Sequence, residues 1–182
     1  MANPGESIIE AFDYVTERLN GRLEGLGDEE YLWEPVSGCW SLRQHADGRW
    51  LLDGDGGGPP PPDPVPFTTI AWRIGHIGGL VLGGFAKAAF GGGEPAPDSW
   101  DFPVAAAGVK EFLGSHYAAW RAGMASLDGA GWEAKLGPTF GPYGESTRYD
   151  LALHVFDEVV HHAAEVGVVR DLYVQRSELG RS

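Results

Sequence analysis

Apolar residues recur along this chain at steps of three and four in four separate windows. In the first, Ile8, Phe12, Val15, Leu19 and Leu23 line one side, while Glu10, Asp13, Glu17 and Arg18 fill the other. That is the pattern of an amphipathic helix over about Glu6 to Gly25, with Gly25 and Gly27 as C-cap candidates. The second window, Thr68 to Phe90, carries the stripe Ile70, Ile74, Ile77, Val81 and Phe85, with Thr68 or Thr69 as N-cap. The third, Val104 to Asp128, aligns Val109, Phe112, Leu113, Tyr117, Trp120, Met124 and Leu127. The fourth, Thr147 to Val174, aligns Leu151, Val155, Val159, Val166, Val169 and Tyr173. Neither strand alternation nor a long internal repeat interrupts this reading.

The breakers fall between the windows. Asp53 to Pro66 reads DGDGGGPPPPDPVP, an extended, solvent-exposed connector, because proline fixes φ and cannot donate a backbone hydrogen bond. Gly91 to Pro97 and Gly137 to Gly144 are shorter loops. Leu26 to Leu52 is irregular but rich in Trp and Leu, which predicts an ordered crossing with a short helix near Leu42 to Trp50. Four amphipathic helices with one long first connection predict an all-α four-helix bundle with a long first crossover. The 182 residues suit a single domain over 1–182.

Composition sharpens this picture. The 28 glycines and 13 prolines are about twice average usage, yet only eleven of the glycines and none of the prolines fall inside the four windows. The excess therefore marks connectors. The second window is the exception, with Gly75, Gly78, Gly79, Gly83 and Gly84. Each costs a helix about 1 kcal/mol against Ala, and the expected return is close approach by a neighbouring backbone or a ligand. Seven Trp and 43% hydrophobic residues supply a core, in which Trp33, Trp40 and Trp72 are expected.

Charge excludes some partners. The net charge of −13 would repel a phosphate backbone or an anionic membrane surface, so neither nucleic acid nor membrane is expected as a partner. Arg18 and Arg22 read as parts of a solvated face. Cys39 is the only cysteine, so there is no intrachain disulfide and no zinc-ribbon spacing. It is expected as a packed small residue beside Trp40. The N-terminus lacks a signal-peptide pattern, and the longest uncharged run, Ile74 to Ala86, falls short of the about 20 residues that span a membrane. A cytoplasmic protein is the expectation.

One segment concentrates chemistry. HVFDEVVHH, from His154 to His162, spaces His154, Glu158 and His162 at four-residue intervals, one continuous ribbon on a helix. His161 lies on its flank. His76 is the only histidine of the second window, one step off its stripe. Inward-facing His and Glu from different helices build metal sites in bundles, and a His/Glu/His set with an open fourth position matches a catalytic zinc site. The plainer alternative is a set of surface or hydrogen-bonded core histidines, although a Glu/His pair beside an apolar stripe is costly to bury unpaired. No Ser-His-Asp arrangement, GxGxxG or P-loop competes; Gly91-Gly92-Gly93 lacks the following Lys-Ser/Thr.

Three stretches carry a family resemblance: YLWEPVSGCWSLR (Tyr31 to Arg43), TTIAWRIGHIGG (Thr68 to Gly79) and HVFDEVVHHAAEVGVVRDLY (His154 to Tyr173). In this order, and over nearly the whole chain, they resemble the DinB-like superfamily of damage-inducible, metal-binding four-helix bundles. That family's long first crossover agrees with the Asp53 to Pro66 connector. The resemblance implies a divalent metal, zinc or nickel, held by one His on helix two and an HxxxH pair on helix four. His76 falls at the first position and His162 at the last. The middle position holds Glu158 instead of His, a departure from the commonest pattern that is similar to the mycothiol-dependent maleylpyruvate isomerase branch. His161 is then a partner of a ligand or a substitute for one, and His154, one turn early, lines the pocket. Glu165 is either exposed or bonded to a ligand histidine, and Asp157 and Asp171 face solvent.

The function so implied is a metal-dependent thiol transferase or hydrolase, acting between helices two and four. Its expected partners are a small-molecule substrate or a low-molecular-weight thiol such as mycothiol or bacillithiol, and a homodimer is expected. The alternative is a non-catalytic, small-molecule-binding or stress-related dimeric bundle whose metal site is vestigial. Pairing of Glu158 with Arg or Lys would favour that alternative.

Overall fold

Helix α1 (Pro4–Arg22) turns its apolar stripe inward, with Phe12, Val15, Leu19 and the following Leu23 all buried. The chain leaves it through Gly25, whose φ of +71° is the left-handed conformation that favours glycine at a helix end. The computed structural model describes residues 4–54, 61–93 and 101–179. After α1 come a one-turn helix α2 (Asp28–Tyr31) and two short strands, β1 (Leu42–Gln44) and β2 (Trp50–Leu52). The second long helix, α3, spans 70–90 in three segments: Ile70–Gly75, His76–Gly84 and Phe85–Phe90. A 3₁₀ turn (Ala106–Gly108) leads into α4 (Val109–Ala125). Short helix α5 (Gly129–Glu133) and a second 3₁₀ stretch (Pro138–Tyr143) precede α6 (Arg148–Val174).

The four long helices form the all-α bundle that the periodicity predicts. Helix α1 packs against α4 and α6, and α3 packs against the same two, so α1 and α3 occupy opposite corners. A chain running from α1 to α3 must cross the bundle, which is why the first connection is long. The stripes meet in one core: Ile70, Ile74, Ile77 and Val81 of α3 face Leu113, Tyr117 and Trp120 of α4 and Val155, Val159 and Val166 of α6. Caps set the helix starts. Thr69 accepts from the Trp72 amide, and Thr147 forms a reciprocal capping box with Asp150 at the head of α6.

The crossing corrects the expected helix near Leu42 to Trp50. This segment is an antiparallel hairpin pairing Leu42 with Leu52 and Gln44 with Trp50, turned by Gly48 at φ +85°. Three-residue strands are too short to show alternation, so the pattern is not legible from the residues. The hairpin is tied to the head of α3: Trp40 N donates to Phe67 O (2.8 Å), Thr69 N to Trp40 O (2.9 Å), and the Ser41 and Thr69 hydroxyls lie 2.9 Å apart. Residues 61–65 of the connector are exposed, as expected; its residues 55–60 lie outside the described set, as do residues 94–97 of the next loop. The Gly137 to Gly144 loop contains 3₁₀ turns, and α4 begins at Val109 and ends at Ala125, inside the expected 104–128. Cys39 is buried against the Val36 carbonyl as a packed residue. Trp72 is in the core, whereas Trp33 and Trp40 are only half-buried beside it.

Helix α3 departs from the regular helix that its stripe suggests. Its central nine residues, His76–Gly84, wind as a π-helix, a rare form concentrated at functional sites. Glycine weakens the preference for α winding, and this segment has four. They also make room for rings. A Cβ at Gly78 would lie 2.2 Å from Phe112, one at Gly79 2.8 Å from Phe102 and one at Gly83 2.6 Å from His116. Side chains from α4 and the loop before it, and not the expected backbone or ligand, make the close approach at these three glycines.

Candidate metal centre

His76 opens the π segment of α3, and Glu158 and His162 lie one turn apart on α6, the helix packed against it. Their side chains converge. His76 Nε2 lies 3.3 Å from Glu158 Oε2, and His162 Nε2 lies 3.4 Å from the same oxygen. One donor atom from each residue falls within 4.8 Å of the others. The side chains are mostly covered, 19%, 28% and 14% exposed respectively. Among the described residues, Glu158 makes its ion pairs with these two histidines and with no Arg or Lys.

The surroundings hold the rings in place. Trp72, one turn before His76 on α3, stacks on it at 4.9 Å and 8° and meets His162 edge-on at 5.9 Å. Trp72 is itself fixed: its Nε1 donates to the Asp53 carbonyl at 2.7 Å, and Trp40 stacks against it at 6.1 Å. Asp53 Oδ2 in turn accepts from Ser41 N (2.9 Å) and Arg43 Nε (2.7 Å). The crossover thus forms one wall of the site, and the Cys-Trp-Ser stretch is part of that wall.

On the far side of His162 lies an assembly that residue spacing leaves mostly unseen. Glu165, expected either at the surface or bonded to a ligand histidine, lies against His162, a candidate ligand. His162 Nδ1 lies 2.7 Å from Glu165 Oε2, and Arg73 Nε donates to that same oxygen at 2.9 Å. Burial pushes the Glu165 pKa up. The hydrogen bonds from His162 and Arg73, with the charge of Arg73, outweigh it and bring the carboxyl down to about 2. Arg73 is only 4% exposed and also donates to the Thr68 carbonyl. An arginine flanked by apolar residues in IAWRIG is the available signal, since a guanidinium there must find a buried partner.

The remaining candidates separate. His161 is exposed and sits 3.2 Å from Glu165 Oε1, so it reaches the partner of a candidate ligand and not Glu158. His154 is set apart from the trio, edge-on to Phe85 at 5.7 Å. It lines a chamber of about 340 Å³ with Phe85, Leu136, Phe140 and Leu151. Asp171 is exposed but pairs with Arg22 at 2.5 Å, which ties α1 to α6 where a purely solvated face is expected.

The donor set fits a divalent transition metal. Separations of 3.3 and 3.4 Å match the edge of a tetrahedron with bonds of about 2.0–2.1 Å, and two imidazoles with one carboxylate form a recognised zinc set. The sequence pattern of the DinB superfamily matches residues 52–166, which take in α3, α4 and all three residues. The chain belongs to the DinB superfamily. Comparison with curated proteins and with solved structures returns no match. The DinB pattern begins at β2 and stops within α6, so the α1 helix and the first part of the crossover that complete this bundle lie outside it. Among the described residues, no helix is long and apolar enough to cross a membrane.

Proposed function

We propose that His76, Glu158 and His162 bind one divalent metal ion, zinc or nickel, and that the site serves thiol transfer or hydrolysis on a small organic substrate. The observation that carries this reading is the convergence of two imidazole Nε2 atoms on one carboxylate oxygen, at 3.3 and 3.4 Å, from two different helices. A bound ion of this kind acts as a Lewis acid and brings the pKa of a coordinated water or thiol toward neutrality.

The chain's own residues supply the rest. Two neutral imidazoles and one carboxylate leave the ion with net positive charge, which favours a thiolate over a thiol. Trp72 covers one face of His76 and keeps the site partly dry, which strengthens electrostatic interactions within it. The chamber beside His154, one turn before Glu158 on α6, has the volume and apolar lining of a small-molecule pocket, although none of the three candidate ligands lines it. The −13 charge speaks against a nucleic-acid substrate.

Pairing of Glu158 with Arg or Lys would favour the vestigial reading. Its histidine partners argue instead for a site open to a metal. Zinc titration of untagged protein tests this. One equivalent is expected to bind, with binding lost in His76→Ala and His162→Ala; absence of stoichiometric binding by wild-type protein refutes the proposal. With the metal loaded, conjugation of a low-molecular-weight thiol to an electrophile should be detectable, and a loaded protein inert toward both thiol transfer and ester hydrolysis would leave the non-catalytic alternative.

A further inference from the structure

The arrangement of Arg73, Glu165 and His162 points beyond the ligand set itself. We infer that Glu165, anchored by the buried Arg73, is a positioning residue that holds His162 in the Nδ1–H tautomer with its Nε2 bare toward Glu158 and His76. The inference rests on the proposed metal site for its purpose, but not for its geometry.

The argument begins with donors and acceptors. An ionised carboxylate can only accept hydrogen bonds, and Glu165 Oε2 already accepts from Arg73 Nε at 2.9 Å. The 2.7 Å contact between the same oxygen and His162 Nδ1 therefore requires a proton on Nδ1. With Nδ1 protonated, neutral imidazole has its lone pair on Nε2, the nitrogen that faces Glu158 Oε2. A free imidazole exchanges between tautomers and flips its ring; this one is held at Nδ1 by a charge-assisted bond and meets Trp72 edge-on.

Arg73 makes the carboxylate immobile. Its guanidinium lies within the bundle, donates to the Thr68 carbonyl at the head of α3 and stacks over Phe67 at 4.9 Å. It sits three residues before His76 on the same helix. One buried cation on α3 thereby fixes a carboxylate on α6, which fixes a ligand on α6 facing the other ligand on α3. His161 occupies the remaining Glu165 oxygen at 3.2 Å, so both oxygens are oriented. Carboxylates placed this way behind a metal-bound histidine typically change metal affinity about 10- to 100-fold.

The test has two arms. Histidine ¹⁵N NMR of metal-free protein, at a pH where the imidazole is neutral, reads the tautomer directly. Wild type is expected to show His162 as Nδ1–H, and Glu165→Ala to lose that signature while circular dichroism stays unchanged. Competitive zinc titration is expected to show a dissociation constant raised about 10- to 100-fold in Glu165→Ala. Glu165→Gln, which keeps an acceptor oxygen, should recover part of both. Arg73→Lys, which cannot donate to Thr68 and Glu165 together in the same fork geometry, should move both readouts the same way by less. A His162 tautomer that is unchanged in Glu165→Ala overturns the inference, as does a lost tautomer with zinc affinity unchanged. If wild type binds no zinc, the metal proposal fails, and the NMR arm still decides whether Glu165 sets the tautomer.

Discussion

Replacing Gly78 with alanine should destabilise this protein, although the same change in an ordinary helix stabilises it. Gly to Ala within a helix gains about 1 kcal/mol. At Gly78 the new Cβ would stand 2.2 Å from Phe112 Cε1 and 2.8 Å from Cδ1. Carbon atoms pack at about 3.5–4.0 Å, so the ring must retreat by more than about 1 Å. It is poorly placed to do so, because Phe102 meets it edge-on at 6.2 Å and His116 at 4.6 Å. Overpacking of this kind costs about 1–3 kcal/mol, which leaves a net loss of about 1 kcal/mol after the helix gain. Gly114 is the control: it lies within α4, exposed, and a methyl group added there would meet nothing within 4 Å. Gly114→Ala should gain about 0.5–1 kcal/mol. The two variants should therefore differ by about 2 kcal/mol, or roughly 4–8 °C in melting temperature for a chain of this size. Urea denaturation and calorimetry measure both. Equal stabilisation by the two substitutions would refute the claim that the π-segment glycines exist to admit rings.

Further expectations concern charge. Burial lowers the His116 pKa below its usual 6.5. A depressed folded-state pKa means that the stability is complete above about pH 6.5 and is lost as pH falls through the folded value. Urea midpoints of wild type and His116→Gln should converge above about pH 7 and separate below about pH 6, wild type falling more steeply; parallel curves would contradict this. Glu30 is 6% exposed and is held by Arg170 Nε at 2.7 Å and Nη2 at 3.1 Å. Arg170→Ala strands that carboxylate and should cost about 3–5 kcal/mol, whereas Glu30→Leu with Arg170→Met should recover much of it. A single variant that melts with wild type would show the pair to be solvated.

The bundle is legible in the sequence because burying a helix face requires apolar residues at steps of three and four, and each stripe from Phe12 to Val169 obeys that requirement. Helix starts are legible for the same kind of local reason: Thr69 and Thr147 cap amides within three residues. What escapes is set by contacts distant in sequence. The hairpin at Leu42 to Leu52 is held by its own short pairing and by the head of α3, and three-residue strands leave no periodic trace. The π winding of His76–Gly84 leaves the apolar stripe intact and depends on rings from α4 and its approach.

The site divides along the same line. Residue types and spacing offer the ribbon His154, Glu158 and His162, because an i,i+4 pair on one helix needs no knowledge of its neighbours, and the family resemblance is what singles out His76, Glu158 and His162. Glu165 and Arg73 can be assigned only in three dimensions: they stand 92 positions apart, and their 2.9 Å pairing exists because α3 and α6 pack side by side. The sequence by itself determined which faces are apolar and which residues are able to bind a metal, both properties of side-chain chemistry and helical period. Tertiary structure decided how one histidine is oriented and what covers it, since orientation depends on partners that meet only when the helices have packed.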